Sequence, residues 1–252
     1  MSRALPLVVL RAGDAAAPVA ARRGEFFSWI RREVGDAWAG AWIEHDVRSD
    51  DRLPDPRSAA GFIMTGSSSS VTERAPWMLR AEEHLRGIVA AETPLFGICF
   101  GHQMIAQALG GLVANNPNGR EIGTVEVRVR ADAPADPIFD GVGKRFRVNA
   151  THVDVVAELP KGATVLAETD LDRCAAFVVG RTTKCVQFHP EFDGDAMRGY
   201  LEARAHLISG EGGDPQAILA RATDAPEGAA TLRNFVLHVV ARFVTAEGVH
   251  SR

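Results

Sequence analysis

The stretch LFGICFGHQMIAQALGG, Leu95 to Gly111, sets Cys99 between Gly97 and Gly101, after a short apolar run and before a helical pattern. A lone free cysteine is ordinarily a small core hydrophobe, because cysteine is among the most buried residue types. The flanking glycines argue otherwise. Gly-x-Cys-x-Gly between a strand and a helix has the form of a nucleophile elbow, a turn so tight that neighbouring backbone leaves no space for a Cβ. Such a turn lifts the sulfur above the C-terminal edge of a parallel sheet, where doubly wound folds keep their sites. A helix starting near Phe100 directs the positive end of its dipole at Cys99 and favours thiolate over thiol. The Phe100 amide is then placed as one oxyanion donor.

A thiolate that cleaves an amide also needs a group to protonate the departing nitrogen. CVQFHPEF, Cys185 to Phe192, supplies His189, with Glu191 two positions later. On extended backbone, residues i and i+2 point to the same side, so the carboxylate can orient and charge-stabilise the imidazole. That is triad logic carried by Cys, His and Glu. In an α/β-hydrolase the acid precedes the histidine in the chain; here it follows, which counts against that class.

Working outward, LPLVVL (5–10), AWIEHDV (41–47), GFIM (61–64) and LFGIC (95–99) read as short strands. Residues 18–34, 75–92 and 100–109 read as helices, with Met78, Ala81, Leu85, Ile88 and Val89 on one face. This alternation predicts an α/β fold, doubly wound around a mostly parallel sheet. From residue 111 the pattern changes. TVEVRVRA alternates as a half-solvated strand does, and RFRVNA, ATVLAE, AAFVVG and KCVQFH follow at short intervals, predicting an appended antiparallel hairpin region. Residues 210–228 read as a loop with one helical turn. TLRNFVLHVVARFV (231–244) places Leu232, Phe235, Val236, Val239, Val240, Phe243 and Val244 on one helical stripe, expected to pack on its own core. The whole chain, 1–252, reads as one domain, with a motif-bearing core over about 60–205 and a helical extension over 206–252.

Composition narrows the partners. A net charge of -4 gives no broad basic field for nucleic acid and no polybasic membrane patch, which leaves a small molecule or a protein. The three cysteines, Cys99, Cys174 and Cys185, have no C-x-x-C spacing, which argues against a disulfide framework or a cysteine zinc site and suits a reducing cytoplasm. The first apolar run is broken by Arg11 and Asp14, so it reads as a buried strand rather than a leader. No stretch reaches the roughly 18–20 apolar residues of a membrane span. GVGKRF (141–146) lacks the upstream glycine of a phosphate-binding loop.

GICFGHQ together with VQFHPEF resembles the class I glutamine amidotransferases, which hydrolyse the glutamine side-chain amide to glutamate and ammonia. REIGTVEV (120–127) and NATHVDVVAELPKGATVLAETD (149–170) are similar to parts of the glutaminase domain of GMP synthetases, and the resemblance spans roughly residues 60–205. It implies a flavodoxin-like architecture with Cys99 as nucleophile, His189 as acid and base, and Glu191 as orienter. It further implies oxyanion donors from Phe100 and the Gly66–Ser67 loop, and a glutamine pocket built with Gln103, Thr151 and His152. No metal or organic cofactor is implied. His102 either reaches the site or bonds locally, Asp154 caps or orders its loop, and Glu121 falls in a matched stretch without an assigned role.

Two departures bear on substrate. The oxyanion loop of the GMP synthetase branch typically reads Gly-Gly-Pro-x-Ser-Val, whereas TGSSSSV (65–71) resembles the loop of plant-type γ-glutamyl peptidases. FDGDAMRG (192–199) also lacks the His-Thr pair common after H-P-E in GMP synthetases. No synthetase motif is present. The expectation is a stand-alone amidotransferase passing ammonia to a separate synthetase or acceptor. The alternatives are a γ-glutamyl peptidase acting on amides other than glutamine, and a non-catalytic interaction module, against which the intact Cys-His-Glu set argues.

Overall fold

The computed structural model describes residues 5–250. Four strands form the parallel part of the sheet: β1 (Leu7–Arg11), β2 (Trp42–Asp46), β3 (Gly61–Met64) and β4 (Leu95–Ile98). Between them lie α1 (Ala17–Arg23), α2 (Phe26–Val34) and α3 (Pro76–Ala90), and α4 (Phe100–Ala108) follows β4. Leu7 pairs with Trp42 on one side and Gly61 on the other, both in parallel register. β3 and β4 are buried along their whole length, as strands covered on both faces are. Successive residues of β1 feed opposite faces: Leu7 and Val9 join Trp29, Ile30, Phe188 and Phe235, while Val8 and Leu10 join Phe62, Met78, Leu85 and Phe100.

The second half contributes β5 (Leu112–Asn115), β6 (Glu121–Val129), β7 (Arg145–His152), β8 (Asp154–Glu158), β9 (Ala163–Glu168), β10 (Ala176–Val179) and β11 (Thr183–Val186). The main sheet has nine strands in the order β2-β1-β3-β4-β11-β10-β9-β6-β7, and β5 pairs with β8 as a separate ribbon. The fold is the expected α/β arrangement with an antiparallel extension. One expectation is corrected in part. KCVQFH does form a hairpin with AAFVVG, but β11 also pairs in parallel with β4, so it joins the two parts of the sheet. It is the seam of the sheet, and its fully buried run fits that central position. The β5–β8 ribbon carries no strict alternation in LVAN or DVVAE, so it left little signal.

The expected helix over 18–34 is two helices. Gly24 takes a left-handed φ of 78° and its N–H closes α1 on the Ala20 carbonyl. Beyond β11 come α5 (Gly194–Ala203), α6 (Ala205–Gly210), α7 (Pro215–Leu219) and α8 (Pro226–Asn234). Asp193 caps α5 by accepting the Ala196 N–H at 2.8 Å. α8 continues through a π-helical stretch, Phe235–Val240, into α9 (Ala241–His250). The final stripe packs on its own core from Leu232 through Val240, then loses cover: Phe243 is half-buried and Val244 is 40% exposed. No helix among the described residues is long and apolar enough to cross a membrane.

Candidate active site

The elbow forms where β4 runs into α4. Cys99 has φ 50° and ψ −102°, a left-handed conformation that is strained for any residue with a Cβ. Its N–H donates to the Val186 carbonyl at 2.9 Å, and its carbonyl accepts the Gln103 N–H at 3.1 Å. The turn is therefore bonded to β11 on one side and opens α4 on the other. Both flanking glycines are required by space. A Cβ on Gly97 would sit 2.8 Å from the Gly101 carbonyl carbon, and one on Gly101 would sit 2.5 Å from the Met64 carbonyl oxygen. Phe100 is the first residue of α4, so its N–H has no acceptor within the helix.

β11 delivers the histidine. The His189 N–H donates to the Asn149 carbonyl at 2.8 Å, and its ring lies against Phe192 with centroids 4.1 Å apart. Nδ1 meets Glu191 Oε1 at 2.8 Å, with both side chains buried. Glu191 can only accept when ionised, so Nδ1 carries the proton of that bond and Nε2 faces elsewhere. Burial alone would lower the His189 pKa, but the Glu191 carboxylate and then the Cys99 sulfur reverse this and hold it well above the usual imidazole range. Burial would likewise raise the Cys99 thiol, yet the charge and hydrogen bond of His189 outweigh it, with His152 and Arg204 adding to the effect, so the thiol is lowered. Both shifts favour the thiolate–imidazolium form of the pair over the neutral one.

The loop after β3 closes over the histidine. Thr65 accepts the Ala12 N–H at 3.0 Å and donates to the Gly66 carbonyl at 3.0 Å. The carbonyl and the N–H of a trans peptide point opposite ways, so this anchor turns the Ser67 N–H away from Thr65. A Cβ on Gly66 would lie 2.8 Å from His189 Cε1, which explains why glycine stands there. A Cβ on Gly13 would lie 2.6 Å from the Ser67 Cα, so the loop after β1 is packed directly under the serine run.

The other expected residues divide. The Thr151 carbonyl is 3.9 Å from Cys99 Sγ, and the Thr151 hydroxyl accepts from Arg204. Gln103 Nε2 donates to the Asp154 carbonyl at 2.8 Å and to Gln187 Oε1 at 3.1 Å, so one hydrogen holds the segment beyond Thr151 and the other the end of β11. His152 is buried, with Nε2 at 3.0 Å from Glu121 and Nδ1 at 3.1 Å from the Asp154 carbonyl. Asp154 orders its surroundings, taking a hydrogen bond from Ser70. His102 is a core residue packed edge-on against Phe177 at 4.8 Å.

A cavity of about 330 Å³ adjoins His189, lined among others by Ser67, Thr151, Tyr200, Arg204 and Arg48; Cys99 itself is not on its wall. Arg204, Tyr200 and Arg48 were not anticipated. The i, i+4 spacing of Tyr200 and Arg204 on the helix after H-P-E was the available signal, and the guanidinium does lie over the Tyr200 ring at 5.1 Å. Arg48 is occupied by Asp14 and Asp46, with bonds of 2.8 Å to each. Among the described residues Arg204 pairs with no carboxylate.

A family model for glutamine amidotransferase class-I matches residues 43–205, more than half of the chain. The chain is 31% identical over 139 residues to γ-glutamyl peptidase 4 of Arabidopsis thaliana, covering 54% of this chain and 55% of that protein. It is 44% identical over 153 residues to a GMP synthase (glutamine-hydrolysing) of Leifsonia xyli subsp. xyli, covering 59% of this chain and 29% of the other. These matches thus span about half or less of each relative's length. In fold it is similar to the crystal structure of a glutamine amidotransferase from Thermotoga maritima, with a TM-score of 0.72, 23% identity, and 95% and 98% of the two chains covered. The elbow, the His–Glu pair and the family match agree, and the chain belongs to the class I glutamine amidotransferases.

Proposed function

We propose that the protein hydrolyses the side-chain amide of glutamine through a thioester on Cys99, releasing glutamate and ammonia for a separate synthetase or acceptor. The observation that carries this reading is the strained elbow cysteine beside a buried His189–Glu191 couple whose histidine lines a polar cavity. The Cys99 thiolate attacks the γ-carbonyl carbon, and the carbonyl π electrons move onto oxygen. The Phe100 and Ser67 amides receive that oxyanion. As the tetrahedral intermediate collapses, the C–N bond breaks and the His189 imidazolium gives its proton to nitrogen, leaving a γ-glutamyl thioester. Neutral His189 then takes a proton from water, hydroxide adds to the thioester, and glutamate departs as the Cys99 thiolate and His189 imidazolium are restored.

Arg204 supports a substrate with an α-carboxylate, because it is a cation on the cavity wall that, among the described residues, pairs with no carboxylate. A second reading has a specific observation in its favour. Ser67, Ser68 and Ser69, with Asp14 and Arg48, line the same cavity and offer polar contacts to an amide substituent larger than hydrogen. On that reading the leaving group is an amino acid or peptide amine and the chain is a γ-glutamyl peptidase. Steady-state release of ammonia and glutamate from glutamine, beside a panel of γ-glutamyl peptides, separates the two. Glutamine turnover that vanishes in Cys99→Ala is the expected result. Preference for the peptides would replace it with the peptidase reading.

A further inference from the structure

Glu121 and His152 form a second buried acid–imidazole couple; His152 is next in sequence to Thr151, whose carbonyl lies 3.9 Å from Cys99 Sγ. Their side chains are 5% and 2% exposed. Removing such a pair from water costs several kcal/mol per ion, roughly, and a hydrophobic pair of similar size often serves stability as well. A pair retained beside a reactive sulfur therefore invites an account in terms of chemistry.

The hydrogen bonds assign the protons. His152 Nδ1 faces the Asp154 carbonyl at 3.1 Å, and a carbonyl oxygen only accepts, so Nδ1 carries a hydrogen. Nε2 faces Glu121 Oε2 at 3.0 Å. The other carboxylate oxygen, Oε1, accepts from the Thr169 hydroxyl at 2.7 Å. The Thr169 oxygen already accepts the Asp172 N–H at 2.9 Å and the Leu171 N–H at 3.3 Å, so the hydrogen shared with Glu121 is its own. Oε1 is thus held as an acceptor, and an ionised Glu121 takes the Nε2 hydrogen on Oε2. Four titratable groups face this imidazole. Glu121 on β6 and Asp172 in the β9–β10 turn favour its charged form, as does the Cys99 sulfur. His102 on α4 is its like-charge neighbour; burial first and the His152 charge second hold His102 near 3, so it stays neutral.

We propose that Glu121 is a positioning residue that keeps His152 as a permanent imidazolium, which fixes the 151–154 turn against the elbow and stabilises the Cys99 thiolate as a second cation behind His189. This rests on Cys99 being the nucleophile, and on no choice between glutamine and other amides. The same Asp154 carbonyl also accepts from Gln103 at 2.8 Å, so α4 and His152 grip one peptide from two directions. In the set of charges acting on Cys99, His152 follows His189 and precedes Arg204.

The test is the pH profile of Cys99 alkylation by iodoacetamide in the full chain, which needs no substrate. Cys99→Ala identifies the reacting sulfur. Glu121→Gln keeps the size and a hydrogen bond but removes the charge. The midpoint is expected to rise by roughly half to one pH unit, with Glu121→Asp restoring part of the shift. Thr169→Val, which releases the carboxylate from its second donor, gives a smaller shift and serves if Glu121→Gln does not fold. In 15N-histidine spectra of the wild type at pH 7, His152 is expected with both ring nitrogens protonated. A folded Glu121→Gln protein with an unchanged midpoint would overturn the proposal, as would a wild-type His152 with a bare nitrogen. A shifted midpoint in a protein that hydrolyses no glutamine would support it while refuting the substrate reading.

Discussion

Two buried sulfurs lie side by side in this fold, one within a strand and one just past the end of its neighbour. Cys185 on β11 sits in register with Gly97 on β4, just before the elbow that carries Cys99. Cys99 is 6% exposed and Cys185 is 0% exposed, so burial hardly distinguishes them. Their chemistry diverges all the same. Burial, with Cys174 beside it, drives the Cys185 thiol well above its ordinary value, whereas His189 overcomes burial at Cys99 and brings that thiol down. The difference between the two thiols comes from placement. One residue past the strand end, a sulfur gains an imidazolium and a helix terminus; inside the strand it gains neither.

The comparison breaks most sharply by deletion. Cys99→Ala is expected to lower kcat by about 10⁴-fold or more, while Cys185→Ala keeps near-normal turnover and loses roughly 1 kcal/mol of stability through a small cavity. Equal losses in steady-state assays of the two variants would erase the distinction. Next in size is Glu191→Gln, which keeps the shape of the pair but leaves His189 without its charge partner. A drop in kcat of about 10²–10⁴-fold with little change in KM is expected from single-turnover and steady-state rates. Gly66→Ala forces a methyl to within 2.8 Å of His189 Cε1, so the loop or the ring must move. A loss of about 10²–10³-fold in kcat is expected, the typical effect of losing an oxyanion donor.

Arg204→Met addresses binding rather than chemistry and should raise KM roughly 10–100-fold with kcat largely kept, the cost of one charge-assisted contact. The mildest probe is pH. The Cys99 thiol is lowered from 9.0, so activity should already be rising with pH below that value. His189 is raised from 6.5, so the fall on the alkaline side, where it loses the proton it must donate, should lie above that value. The two limbs belong to the pair rather than to either residue. A profile that rises only near 9.0 would mean that His189 does not act on the sulfur.

The parts of this molecule legible in its sequence are those encoded locally. Gly97, Cys99 and Gly101 lie within one turn, and His189 and Glu191 sit two residues apart on extended backbone. The apolar strands and helices announce themselves by period. What escaped reading is assembled across the chain. Gly13 makes room for Ser67, and Thr151 meets Arg204, contacts between residues more than fifty positions apart. No local pattern specifies such meetings. The parallel partner of β11 was missed for a related reason: a short buried run looks the same in a hairpin as at a seam, and only its two partners distinguish them. The stripe of the last helix shows the converse limit, since its periodicity outruns the core that covers it.

The bond from Ser70 to Asp154 joins the loop after β3 to the first residue of β8, tying the main sheet to the separate β5–β8 ribbon. Through Gln103 and His152 that residue is also tied to the elbow and to Glu121. Any attempt to graft the serine-rich loop onto a relative therefore transfers half of a fastening. The graft would need its acidic counterpart to travel with it, and during divergence the two positions are expected to drift together, each tolerating change only when the other has changed first.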